Sequence, residues 1–110
     1  VSRHYYKKLV RDKIPALISE KGRSCKVRKL PATAYARALK AKIREEADEL
    51  YRARGKGPLL NELIDLQELV DAYRGALGMK AKSFHGLVRR KRRERGGFGK
   101  RLFLEYTEGP

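Results

Sequence analysis

The stretch Leu39–Val70, LKAKIREEADELYRARGKGPLLNELIDLQELV, decides how this chain folds. Its middle, Gly55-Lys56-Gly57-Pro58, reads as a break, because two glycines and a proline do not continue a helix. On either side the apolar residues recur with a helical period. Taking about 100° per residue and Leu39 as zero, Ile43 falls at about 40°, Leu50 at about 20°, Ala47 at about 80° and Tyr35 at about −40°. With Leu66 as zero, Leu59, Leu63, Val70, Tyr73 and Leu77 fall within about 60°. The spacing predicts two amphipathic helices, Ala32 to Arg54 and Leu59 to Leu77, the first opened by Pro31. A connection this short favours an antiparallel hairpin. The fold class is therefore all-α.

Acidic residues sit in the wrong place for a solvated surface. The chain has 28 Lys and Arg against 13 Asp and Glu, yet it gathers Glu45-Glu46-Ala47-Asp48-Glu49 and, after twelve residues, Glu62-Leu63-Ile64-Asp65. On the first helix Glu46 lies at about −20°, inside the apolar stripe, and Glu49 at about −80°, on its edge. On the second, Glu62 lies at about −40° and Asp65 at about −100°. Each helix thus turns one carboxylate inward and a second, one turn away, onto the border. Asp48 and Glu68 point outward. An ionised carboxylate removed from water needs a partner. Lys and Arg are one answer. A hard divalent cation is the other: Mg²⁺ takes oxygen ligands and is typically shared between carboxylates and substrate phosphates. Facing helices of a bundle build such sites from inward acids.

The EExxE…ExxD arrangement resembles the signature of the all-α nucleoside triphosphate pyrophosphohydrolases, a superfamily that includes MazG proteins, phosphoribosyl-ATP pyrophosphohydrolase and dimeric dUTPases. Two further stretches are similar to a MazG-like subgroup: Tyr6-Lys7-Lys8-Leu9-Val10-Arg11-Asp12-Lys13-Ile14-Pro15 and Arg95-Gly96-Gly97-Phe98. The resemblance spans nearly the whole chain. It implies a single domain, residues 1–110, with a four-helix-bundle-like fold. It also implies cleavage of a nucleotide, including non-canonical house-cleaning substrates, to the monophosphate and pyrophosphate with Mg²⁺ or Mn²⁺. Carried over, Glu46, Glu49, Glu62 and Asp65 are the metal ligands. Glu45 matches the first Glu of the signature and would support them or act as base for the attacking water. Lys42, Lys91 and Arg95 are candidate phosphate contacts, with Arg11 and Lys13 as weaker ones. Lys42 has an alternative role as an i,i+4 ion pair to Glu46. The phosphoribosyl-ATP enzyme of histidine biosynthesis shares the same acidic machinery and stands as the alternative substrate class. Tyr35, Tyr73, Phe84 and Phe98 could stack on a base or fill core.

The remaining chain frames this centre. A short helix is expected from Lys13 to Lys21, capped by Asp12 and stopped by Gly22. Ser24 to Leu30 and Phe98 to Tyr106 read as short extended segments that could pair with each other. Ser83 is placed to cap a third substantial helix, Phe84 to Arg95, which carries Arg89-Arg90-Lys91-Arg92-Arg93. With a formal charge of +15, this helix raises a second class of function, a basic nucleic-acid-binding module. No stretch approaches the ~18 apolar residues of a membrane span, no apolar segment of a signal peptide follows the basic start, and the single Cys25 has no internal partner. These features predict a cytoplasmic protein. His4 and His85 lack partners at catalytic or metal spacing, and Arg-Gly-Gly-Phe-Gly lacks the Lys-Ser/Thr of a P-loop. Two long amphipathic helices leave more apolar surface than one chain covers, which predicts a homodimer or a dimer of dimers.

Overall fold

The chain folds as four helices in the computed structural model, which describes residues 2–110: α1 (Ile14–Glu20), α2 (Ala32–Arg52), α3 (Lys56–Ala76) and α4 (Ala81–Arg95). The fold is all-helical, and among the described residues there is no strand. The segments 24–30 and 98–106 form no ladder, so the pairing expected of them is not made, and residues 98–101 close a turn in which the Arg101 amide donates to the Phe98 carbonyl.

The ends of the helices differ from the sequence expectation for local reasons. In α1, Lys13 rather than Asp12 is the N-cap residue, no side chain caps the first turn, and Pro15 occupies it without losing a bond. The stop at Gly22 is as expected: its φ is +75°, and the amides of Gly22 and Arg23 close onto the carbonyls of Ser19 and Ile18. Helix α3 starts at Lys56, so Gly57 and Pro58 lie inside its first turn and the connection shrinks to residues 53–55. First-turn amides have no intrahelical acceptor, so Pro58 costs nothing there. Gly55 alone makes the bend, with φ +88°. Helix α4 likewise begins at Ala81, with Lys80 as N-cap, and Ser83 sits within its first turn instead of capping it.

The hairpin of α2 and α3 is the main packing unit. Helix α4 packs on α3 alone, and α1 packs on no other helix. Leu39 is buried in the seam, flanked by half-buried Tyr35, Ile43 and Leu50 from α2 and Leu59, Leu66, Leu69 and Tyr73 from α3. The face of α3 is rotated from the expected one. Leu63, Val70 and Leu77 are exposed, whereas Glu62, Asp65 and Leu69 are half-covered. Helix α3 also carries Leu60 and Ile64, both exposed, so it is apolar over most of its circumference. Periodicity alone then does not select the side that meets α2. The rotation draws both carboxylates of α3 further in.

One chain leaves much surface uncovered. Its accessible area is 10851 Å², against roughly 6,200 Å² for a folded monomer of this mass. The radius of gyration is 18.9 Å, against about 13 Å for a compact domain of this length. Among the described residues, no helix is long and apolar enough to cross a membrane.

Candidate metal centre

The antiparallel hairpin brings the two acidic stretches together. Glu46 and Glu49 lie one turn apart on α2, and Glu62 meets them from α3. One carboxylate oxygen from each lies within 4.8 Å of the other two. Glu46 is only 8 % exposed, although it is the most expensive kind of side chain to bury unpaired. One oxygen of Glu46 (Oε2) and one of Glu62 (Oε2) are shut off from solvent with no hydrogen-bond partner.

The Glu46 carboxyl responds as electrostatics requires. Burial, first of all, then the close approach of the Glu62 carboxyl, then the negative charges of Glu49, Glu62 and Asp65 push its pKa up from 4.5 to about 7. Because this pKa is raised on folding, the group favours the folded state at low pH. That contribution is lost as pH rises from about 4.5 through about 7. A divalent cation needs the ionised form, so its affinity should climb over the same window. Thermal melts in EDTA should therefore show wild type losing stability relative to Glu46→Gln between pH 5 and pH 8. Added Mg²⁺ should restore the wild type more at pH 8 than at pH 5. Parallel pH profiles for the two proteins would show that Glu46 carries no such charge.

The other expected residues are placed as follows. Asp65 stands outside the trio: its Oδ1 accepts a 2.8 Å hydrogen bond from Nη2 of Arg11. Arg11 comes from the segment before α1 and reaches across 54 residues of sequence to do so. Glu45 is half-buried on α2, with its Oε1 4.0 Å from Nζ of Lys42. Lys42 therefore approaches Glu45, and not Glu46, as its nearest acid. Lys91 and Arg95 are on α4, in a shallow cleft lined only by residues of that helix. No residue of the acidic trio lines that cleft. Asp48 and Glu68 are exposed, as their angles predicted. Tyr35, Tyr73 and Phe84 are half-buried, while Phe98 is 97 % exposed. His4 stacks against Tyr6, His85 neighbours Phe84, and Cys25 is exposed.

Two features had little or no signal in the sequence. The Arg11–Asp65 pair depends on the path of the chain before α1. Lys7 and Lys8 from the same segment line a cleft with Lys42; in the sequence they belong to the family-like stretch Tyr6–Pro15, without a role of their own. Comparison with family models, with curated proteins and with solved structures finds no match to this chain.

Proposed function

We propose that this protein is a divalent-metal-dependent nucleoside triphosphate pyrophosphohydrolase of the all-α, MazG-like type. The observation that carries this reading is the convergence of Glu46, Glu49 and Glu62 from two helices, with two carboxylate oxygens buried and unpartnered. Carboxylate oxygens as the donor set suit a hard cation such as Mg²⁺ or Mn²⁺. Bound there, the ion would supply positive charge to the phosphate oxygens and acidify the attacking water. Glu46, Glu49 and Glu62 would hold it. Asp65, one turn from Glu62, is held by Arg11 and would join them only if that bond opened. Half-buried Glu45 would take the proton of the water at a carboxylate oxygen. The oxygen of the water forms a bond to the α-phosphorus while the bond to the bridging oxygen breaks. Pyrophosphate leaves and the nucleoside monophosphate remains.

The substrate class is a nucleoside triphosphate, including non-canonical ones, with phosphoribosyl-ATP as the alternative. A cytoplasmic setting goes with such substrates. A second copy of the chain completes the fold by covering the apolar side of α3, as a homodimer or a dimer of dimers.

Product identity tests the reaction. With Mg²⁺ and a panel of nucleoside triphosphates, orthophosphate should appear only after an inorganic pyrophosphatase is added. Orthophosphate released without that enzyme would assign the chain to another class of hydrolase. The second reading, a nucleic-acid-binding module, rests on α4, whose Arg89, Arg90, Arg92 and Arg93 are all exposed. No hydrolysis with either metal, together with tight nucleic-acid binding at physiological salt, would favour it.

A further inference from the structure

Before α1 the chain runs as an arm across the hairpin. At one end Arg11 bonds Asp65 on α3; at the other, Lys7, Lys8 and Leu9 lie against the α2 face that carries Ala38, Ala41 and Lys42. The arm therefore bridges the two helices that supply the acidic trio. In an extended segment, neighbouring side chains point to opposite sides. Lys7 breaks that rule: its φ is +49°, a left-handed conformation that side chains disfavour. The kink lets Lys7 and Lys8 line the same cleft. Lys42 enters it from α2 with its side chain only 19 % exposed, and its nearest carboxylate oxygen is 4.0 Å away, too far for a hydrogen bond.

Three lysines thus line one cleft with one carboxylate, Glu45, and the Lys8 ammonium also lies 5.7 Å from the centre of the Tyr6 ring. Like charges gathered around one cleft repel, and an anion reverses the sign of that interaction. The cleft measures about 160 Å³, below the ~300–1,000 Å³ of a site that encloses a whole small molecule. It suits part of a nucleotide. On α2, Lys42 lies one turn from Glu45 and Glu46, so an anion in the cleft adjoins the carboxylates.

We propose that Lys7, Lys8 and Lys42 form the seat for the polyphosphate of the substrate, with the arm clamping it against α2; this assignment rests on the pyrophosphohydrolase reading. Each ammonium acts as a mobile point charge with three donors. The nucleoside lies outside the cleft.

The test uses inorganic tripolyphosphate as probe, titrated into the full chain by calorimetry at physiological salt with EDTA present, so that the seat is read apart from the metal. Wild type should bind. K7Q/K8Q, altered only on the exposed arm, should bind at least fivefold more weakly, and K42Q should do the same. The variant with Arg89, Arg90, Arg92 and Arg93 all changed to Gln should keep the wild-type affinity. No binding by wild type, or a change under fivefold in both lysine variants, overturns the proposal. So does a loss confined to the arginine variant, which would place the anion on α4. Circular dichroism checks that each variant is folded; if K42Q is not, K7Q/K8Q decides. Should wild type bind tripolyphosphate through these lysines yet hydrolyse no nucleotide with Mg²⁺ or Mn²⁺, the anion seat stands and the enzyme reading falls.

Discussion

Glu62→Gln should reduce hydrolysis on the order of 10²–10³-fold, the scale of deleting one preorganised charge partner of a transition state. The same substitution should remove the rise in melting temperature that Mg²⁺ gives wild type, since a ligand that binds only the folded site stabilises by mass action. Glu46→Gln should behave alike in both assays. The two variants should also share a less intuitive property: without metal they should be more stable than wild type. Glu46 is buried among Glu49, Glu62 and Asp65, and its pKa near 7 records the cost of charging it there. An amide removes the charge and can donate to the unpartnered oxygen of Glu62. The gain should be on the order of 1–3 kcal/mol at pH 8, the cost of one buried unsatisfied group. Activity and metal-free stability would then move in opposite directions, as expected of a site whose strain is relieved by its cofactor. Wild-type turnover by Glu62→Gln would show that the trio is not the catalytic centre.

A second large effect is expected at the opposite side of α3. Leu60, Leu63 and Ile64 are 48 %, 50 % and 62 % exposed on adjoining turns, and Tyr51 near the end of α2 is 91 % exposed. The chain shows about 4,600 Å² more surface than a monomer of its mass should. A stable interface buries only ~800 Å² per partner, so a second copy has ample surface to cover. Among the described residues Leu39 is the single buried hydrophobic one, too little for a lone domain of this length. Sedimentation at micromolar concentration should give a dimer or tetramer for wild type. Leu63→Glu with Ile64→Glu should dissociate it and lower the melting temperature by ten degrees or more, roughly 2 kcal/mol for a domain of this size. A stable wild-type monomer would contradict the assignment.

These two expectations draw on different layers of information. The acidic centre was legible in part because local spacing carries it: of the four carboxylates expected, Glu46 falls inside the stripe defined by Leu39, Ile43 and Leu50, and the break near Gly55 returns the chain antiparallel, but Asp65 is held apart by Arg11. Whether Glu49 and Glu62 meet at the same depth was not legible. That depends on where each helix ends, and the ends moved. Helix α2 stops at Arg52 and α3 starts at Lys56, because a first turn tolerates Gly57 and Pro58. The nucleic-acid reading of α4 likewise came from composition, and the exposure of Arg89–Arg93 leaves it as a surface property.

From the sequence alone came the all-α class, the hairpin and the inward turn of Glu46 and Glu62, since each follows from the period of a helix and the conformational demands of Gly and Pro. Tertiary structure decided the rest. It chose which side of α3 faces α2, a choice that a helix apolar over most of its circumference leaves open. It also gave Asp65 to Arg11, set Lys7 and Lys8 beside Lys42, and kept Lys91 and Arg95 on a helix that packs on α3 alone. Contacts between residues far apart in the chain depend on the path of the backbone between them, and side-chain periodicity holds no record of that path.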